Sequence, residues 1–136
     1  MEKIENKVFG KLIYDYQWEK QEAINFGGKE FTLTIIVEAL PDEKITEVQE
    51  KNYQSVKQND EILNAEDFNL IKKYLFENYE FDISNYEDLF NHANPQSVLY
   101  KQNGKVVVLF DLNEDELGFG IEIIPNKSIG VQDFYI

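Results

Sequence analysis

The chain has 136 residues, with 26 acidic and 13 basic side chains, one histidine and no cysteine. This length suits a single domain spanning residues 1–136, and a hydrophobic fraction of 43% supplies a core without help from disulfides or metals. The missing cysteines exclude disulfides and thiolate metal sites, and a formal charge of −13 argues against direct nucleic-acid binding.

The basic side chains are all lysines, so the arginine forks that commonly clamp phosphates are missing. Residues 1–7 lack the apolar run of a signal peptide, and no stretch reaches the roughly 18 apolar residues of a membrane span. We therefore expect a cytoplasmic protein that binds neither nucleic acid nor membranes. The composition leaves its oligomeric state open.

The pattern up to Val37 is that of β-structure. Four large side chains occupy every second position, which predicts that they line one face of a single strand. They are Leu12, Tyr14, Tyr16 and Trp18. Gly27-Gly28 then predicts a tight turn, and residues 31–37 alternate apolar side chains with threonine. We predict three antiparallel strands in a meander.

Two helices are predicted after Pro41. Thr46 and Gln49 form a capping-box pair, which marks the start of the first helix. Asn64 marks the start of the second, with Asp67 in its first turn, where the helix dipole favours an anion. We expect both helices to pack on one face of a sheet.

The last part of the chain returns to a β pattern after a long predicted loop, residues 80–96, in which Tyr86–Phe90 can form a short turn. Asn103-Gly104 predicts a hairpin, and residues 106–110 are apolar on both parities, as in a central strand covered on both sides. Two more strands follow. The predicted order is β-β-β-α-α-β-β-β-β, an α+β fold with antiparallel sheet and two helices packed on one face.

Charge is concentrated in residues 31–95, which carry 14 acids and 5 lysines, a net charge of −9. Such a field attracts basic partners, although a merely solvated face has the same composition. Candidate partner-binding residues are eight of the acids of this segment, with one tyrosine as an aromatic anchor. They are Asp42, Glu43, Glu47, Glu50, Tyr53, Asp60, Glu61, Glu66 and Asp67.

His92, the only imidazole, follows Asp88 by four residues, a spacing that lets a carboxylate orient a general base on a helical turn. Its neighbours Asn91 and Pro95 indicate a loop instead. We therefore assign no catalytic residue and expect His92 to anchor the loop.

Asp111, Asn113 and Asp115 match the first three ligand positions of a calcium loop. The match then fails, because the sixth position is Glu116 where a glycine is required, and strands are predicted on both sides. An acidic connection between two strands explains the same residues. Calcium or magnesium at this segment is the alternative to a protein without cofactors.

The segments 9–18, 31–38 and 45–49, together with the closing 117–121 and 129–133, resemble a family of small acidic bacterial domains of unknown function. Members often end in Gly-x-Gln-Asp, as Gly130 to Asp133 do here. The resemblance implies a small α+β domain without assigned activity. Some similar domains are proposed as immunity proteins that accompany secreted toxins.

We therefore predict a non-enzymatic protein-binding module, of the immunity type, that binds a basic protein through an acidic surface. The alternative is a divalent-metal-dependent protein or enzyme centred on Asp111–Glu116. A third hypothesis is a structural subunit that assembles through an edge strand.

Overall fold

The computed structural model describes residues 2–113 and 115–136, with side-chain positions for all of these except Asp115 and Glu116. Its strands are β1 (Lys3–Asn6), β2 (Gly10–Asp15), β3 (Gln17–Phe26), β4 (Lys29–Val37), β5 (Ala93–Tyr100), β6 (Val106–Leu112), β7 (Asp115–Ile124) and β8 (Ser128–Val131). Its α-helices are α1 (Glu47–Lys57), α2 (Ala65–Tyr79) and α3 (Tyr86–Phe90), and a short 3-10 helix covers Gln132–Phe134. The fold is α+β, as predicted.

All eight strands form one sheet in chain order, β1 to β8. Neighbouring strands are antiparallel except β4 and β5, which are parallel with Ile35 opposite Val98. The prediction of a wholly antiparallel sheet is therefore wrong at this pair. The helices lie in the connection between β4 and β5, and such a crossover returns the chain to the same end of the sheet, which makes the next strand parallel.

The order is also different from the predicted one, since four strands precede the helices. The predicted strand through Leu12 and Trp18 is divided by a turn at Tyr16, whose φ is 68°. Tyr14 pairs with Trp18 across this turn, so the parity of the pattern is preserved. Leu12 and Trp18 are both buried, whereas Tyr16 is 90% exposed.

The predicted helix starts are confirmed. Thr46 and Gln49 form a reciprocal capping box at α1, and Asn64 and Asp67 form another at α2. The short turn expected at Tyr86–Phe90 within the predicted loop 80–96 is the helix α3, and the loop is wrong in extent because β5 already begins at Ala93. Asn85 caps α3 by accepting the backbone N–H of Asp88 at 2.8 Å.

The main core lies between one face of the sheet and the three helices. Ile35, Val98 and Ile121 of the sheet share this core with Ile71 and Leu89 of the helices. This arrangement leaves the acidic side chains of the helices and their loops, apart from Asp67, on the outer side of the helix layer.

The opposite face of the sheet is partly covered by the end of the chain. Tyr135 packs on Leu99, Val107 and Leu109. Gly120 makes room for it, because a Cβ there would lie 2.7 Å from the Tyr135 ring. The central strand β6 is thus buried on both sides, as its uninterrupted apolar run predicts.

Candidate functional site

The structure divides the eight predicted partner-binding acids into two groups at opposite ends of α1. With a rise of 1.5 Å per residue, these ends are about 16 Å apart. The first acidic group surrounds the start of α1 and consists of Asp42, Glu43, Glu47 and Glu50. The second acidic group lies between α1 and the first turn of α2 and consists of Asp60, Glu61, Glu66 and Asp67.

The first acidic group faces solvent. Asp42, Glu43 and Glu47 are exposed. Glu43 Oε1 accepts the backbone N–H of Leu40 at 2.8 Å, which holds the loop before α1 in place. Glu50 is half-buried and accepts a hydrogen bond from Asn6 Nδ2 at 3.0 Å, so this member also ties the end of β1 to the helix.

Two apolar side chains stand beside the first acidic group. Leu40 is 58% exposed and Val48 is 40% exposed. Surfaces that combine exposed apolar groups with charges of one sign suit protein partners with an amphipathic, oppositely charged face. The sequence pattern identified the acids here but not their apolar neighbours.

The second acidic group borders an open cavity of about 600 Å³, which we call the acidic cavity. The α1–α2 loop forms one wall, and the turn between β7 and β8 forms the other. The charged residues that line it are Asp60, Glu61, Asp67 and Lys127, with amide side chains from Asn59 and Asn64. Glu66 is exposed on α2 and does not line this cavity.

Asp67 belongs to the interior, with a relative exposure of 1%. Its Oδ2 accepts the backbone N–H of Asn64 at 2.9 Å, which caps α2. Its Oδ1 forms an ion pair with Lys127 Nζ at 2.9 Å. Asp67 therefore forms the wall of the cavity instead of an exposed contact surface.

Glu61 connects the cavity with the β3–β4 hairpin. Its Oε1 accepts the backbone N–H of Gly28 at 2.9 Å. Its Oε2 is buried and has no hydrogen-bond partner among the described residues. Burial, and then the carboxylates of Glu61 and Asp67, raise the pKa of Tyr86 to about 12. The negative charge of these two acids therefore also acts on the Tyr86 phenol.

Tyr53 is placed in the core, with a relative exposure of 2%, and is therefore no surface anchor in this structure. Its hydroxyl donates to Glu22 Oε1 at 2.5 Å and accepts from Lys20 Nζ at 2.6 Å. Lys20 and Glu22 are themselves 3.2 Å apart. Burial, followed by the hydrogen bond to Glu22, raises the pKa of Tyr53 well above its usual value.

The sequence did not identify this Lys20–Glu22–Tyr53 cluster. The signal that could have found it is parity, since Lys20 and Glu22 share the inward face of β3 with Trp18 and Ile24. Two charges on an inward face require partners from the layer above, and a helical tyrosine is one such partner.

Of the predicted metal ligands, Asp111 is exposed and Asn113 is engaged within the chain. Asn113 Oδ1 accepts from Asn94 Nδ2 at 3.1 Å, and its Nδ2 donates to the carbonyl of Asn91 at 3.0 Å. The side chain of Asp115 lies outside the described residues. Within the described residues, no group of three or more acids or histidines is arranged to hold a metal ion. A divalent ion at this segment stays a prediction.

Asp88 and His92 have separate structural contacts. Asp88 Oδ2 accepts the backbone N–H of Ser84 at 2.9 Å, and the His92 ring stacks on Phe81 with centroids 3.9 Å apart. The carbonyl of His92 accepts the backbone N–H of Asn113 at 2.8 Å. These contacts hold the segment between α3 and β5 against the sheet.

Comparison of the chain with protein-family models, with curated proteins and with solved structures gave no match. Among the helices of the described residues, none has the length and apolar character needed to cross a membrane. The two acidic groups, by their geometry and charge, are therefore the candidate functional surface of the described residues.

Proposed function

We propose that this protein is a non-enzymatic binding module that holds a basic protein partner on the acidic surface of its helical layer. One observation carries the proposal. Of the 14 carboxylates in residues 31–95, all described by the structure, only Asp67 is buried, and the others are exposed or half-buried. The five lysines of this segment leave most of that charge unbalanced.

The physical basis is an unbalanced field on one layer of the molecule. Like charges held on a folded scaffold repel one another, and a partner of opposite charge relieves this repulsion while its approach is accelerated. The exposed side chains of Leu40 and Val48 supply apolar contact area beside the first acidic group. Charge gives such a complex its rate of association and its register, and the apolar contacts add affinity.

An immunity-type role is the specific form of this function that the family resemblance implies. An immunity protein must bind its toxin tightly, and it needs no catalytic group of its own. An acidic module suits this role when the toxin domain is basic. We include the toxin as the proposed partner class and propose no reaction.

The test begins with capture of partners from host lysate on tagged protein in 50 mM NaCl, followed by measurement of the affinity for the captured protein. We expect a partner with a basic surface, and an affinity that falls at least about tenfold between 50 and 500 mM NaCl because salt screens exposed charges. The triple variant Asp42→Asn, Glu43→Gln, Glu47→Gln should weaken binding about tenfold at 50 mM NaCl.

A matched control removes three exposed acids from other parts of the surface. The variant Glu5→Gln, Glu30→Gln, Asp133→Asn has the same net charge as the test variant and should bind with nearly wild-type affinity. A partner without basic character, or an affinity independent of salt, would contradict the proposal. Equal losses in the two triple variants would show that net charge matters and that the helical layer does not.

A further inference from the structure

The strand β1 lies at one edge of the sheet, and within the described residues no strand pairs with its far side. Its four residues, Lys3–Asn6, pair with β2 in a register that places Ile4 opposite Leu12. Lys3, Ile4 and Glu5 are all exposed. A strand edge of this kind presents unpaired backbone N–H and C=O groups, which can pair with a strand of another chain.

The pairing with β2 shows which backbone groups of β1 point away from the sheet. The backbone N–H of Tyr14 donates to the carbonyl of Glu2 at 2.8 Å, in the same register that joins β1 to β2. In an antiparallel pair, opposite residues alternate between hydrogen-bonded and non-hydrogen-bonded pairs. Because Glu2 is bonded to β2, Ile4 is also bonded, and the N–H and C=O groups of Lys3 and Glu5 point to the free edge.

The two residues with free backbone groups carry opposite charges. Lys3 and Glu5 lie two positions apart, so their side chains share one face of β1. Neither side chain has an ion-pair partner within the described residues. Charges of one sign protect an edge strand because they repel an identical strand. Opposite charges at these two positions instead attract each other when two copies of β1 run antiparallel.

Antiparallel pairing of two β1 strands has one register in which charge and hydrogen bonding agree. When Ile4 lies opposite Ile4 of the second copy, Lys3 of each copy lies opposite Glu5 of the other. Each of these two pairs exchanges two backbone hydrogen bonds, four in all. A shift of two residues in either direction places Lys3 opposite Lys3 or Glu5 opposite Glu5, which brings like charges together. The strand is thus complementary to itself in a single register.

The charge around this edge also suits a second copy of the chain. Residues 2–15, which include β1 and β2, contain three acids and three lysines and are neutral, although the whole chain has a charge of −13. Two copies can therefore approach along this hairpin with little repulsion, whereas a basic partner gains little there. The strand at the other edge of the sheet, β8, has no charged side chain to fix a register.

We propose that this protein forms a symmetric homodimer by antiparallel pairing of β1 with β1 of a second copy, centred on Ile4. The inference goes beyond the proposed function and does not depend on a basic partner. The dimer joins two eight-stranded sheets into one, and its two-fold symmetry closes the assembly at two copies. Four backbone hydrogen bonds and two exposed ion pairs form a small interface, so we expect a dissociation constant of about 100 μM.

Sedimentation equilibrium of the untagged full-length chain in 150 mM NaCl tests the assembly. We expect mainly monomer at about 20 μM and mainly dimer at about 1 mM. A monomer throughout this range would overturn the proposal. Assemblies that grow beyond the dimer would also overturn it, because pairing of β1 with β8 of the next copy gives an open chain of protomers.

Charge variants test the register. Lys3→Glu places like charges opposite each other twice and should weaken the dimer at least about tenfold. Lys73→Glu makes the same change at an exposed position of α2 and should weaken it less than about twofold. The double variant Lys3→Glu, Glu5→Lys reverses both pairs at constant net charge and should restore the affinity to within about threefold. Equal weakening by the two single variants, or no recovery in the double variant, would refute this pairing.

Disulfide trapping measures the register directly, because the chain contains no cysteine of its own. In a non-hydrogen-bonded pair the two Cα atoms are about 4.5 Å apart, within reach of a disulfide. Ile4→Cys should therefore form a covalent dimer under a mild oxidant at least about tenfold faster than Ile13→Cys. The two isoleucines are similarly exposed, 37% and 41%, but Ile13 lies on β2. Its two copies are three strand spacings apart in the dimer, about 14 Å. Equal rates for the two variants would overturn the proposal.

Discussion

Tyr53 shows how one side chain can join oppositely charged groups inside the fold. Its hydroxyl is a donor to Glu22 and an acceptor from Lys20, and its ring stacks on Phe9 with centroids 4.3 Å apart. Glu22 also lies 3.6 Å from Lys57. The hydroxyl thus completes a half-buried network that ties α1 to β3, and the stacked ring ties the helix to the segment before β2.

Replacing Tyr53 by Phe keeps the ring and removes the hydroxyl. We expect Tyr53→Phe to lower the free energy of unfolding by about 2 kcal/mol, because the half-buried side chains of Glu22 and Lys20 each lose a hydrogen bond. Urea unfolding monitored by circular dichroism measures the change. Tyr16→Phe, at a residue 90% exposed, is the control and should leave stability unchanged within about 0.5 kcal/mol. A similarly small change at Tyr53 would contradict the role given to its hydroxyl.

The positions of the acids could be predicted from the sequence, whereas their burial could not. The sequence singles out Asp67 beside the Asn64 helix start, but no local signal shows that Asp67 is buried against Lys127 while Glu66 is exposed. The distinction depends on where the β7–β8 turn meets α2, a contact between residues 60 positions apart in the chain. Charge patterning thus indicates a surface, and only tertiary packing selects the residues that line a cavity.

At the scale of elements, Gln49 holds α1 to the parallel strand pair. Its Oε1 accepts the backbone N–H of Thr46 at 2.8 Å, which completes the capping box. Its Nε2 donates to the carbonyls of Glu38 and Tyr100, each at 2.9 Å. These carbonyls lie just beyond the end of β4 and at the end of β5. One amide therefore caps α1 and ties it to the ends of both parallel strands.

The substitution Gln49→Glu separates these two roles. The carboxylate can still accept from Thr46, but it cannot donate to the two carbonyls and places a buried charge against them. We expect a loss of about 3 kcal/mol in the free energy of unfolding at pH 7. Gln54→Glu makes the same chemical change on the exposed face of α1 and should change stability by less than about 0.5 kcal/mol. Comparable losses in the two variants would show that helix propensity, not the contact with the strands, is responsible.

Elements whose signals are local could be predicted, and those that depend on long-range pairing could not. The Thr46 and Asn64 helix starts are encoded within four residues, and the Gly27-Gly28 turn joins Phe26 to Lys29 as expected. The parallel pairing of β4 and β5 joins residues more than 60 positions apart and has no local signature. The short, charged strand β1 was missed because an exposed edge strand lacks the alternation that a half-buried strand shows.

At the scale of the whole molecule, alkaline pH should destabilise the fold through its buried phenols. Burial is the first cause that raises the pKa of four tyrosines, Tyr53, Tyr86, Tyr100 and Tyr135. An unfolded tyrosine releases its proton near pH 10, whereas the folded chain retains these protons to higher pH. The contribution of the protonated phenols to the free energy of unfolding is therefore fully present below about pH 10. It is lost as the pH rises through the folded-state pKa values of these tyrosines. Additional negative charge on a chain of net charge −13 acts in the same direction.

Tyr86 permits the sharpest test of this pH dependence, because its pKa of about 12 defines the range over which its contribution changes. We expect the free energy of unfolding of the wild type to fall more steeply between pH 10 and 12 than that of Tyr86→Phe, which keeps the packing on Phe68 and lacks the titrating group. Urea titrations at several pH values measure both slopes, and absorbance at 295 nm shows whether tyrosinate forms together with unfolding. Between pH 7 and 9 the difference between the two proteins should stay constant. Equal slopes above pH 10 would mean that Tyr86 titrates alike in the folded and unfolded chains, and that neither burial nor the carboxylates of Glu61 and Asp67 measurably affect its phenol.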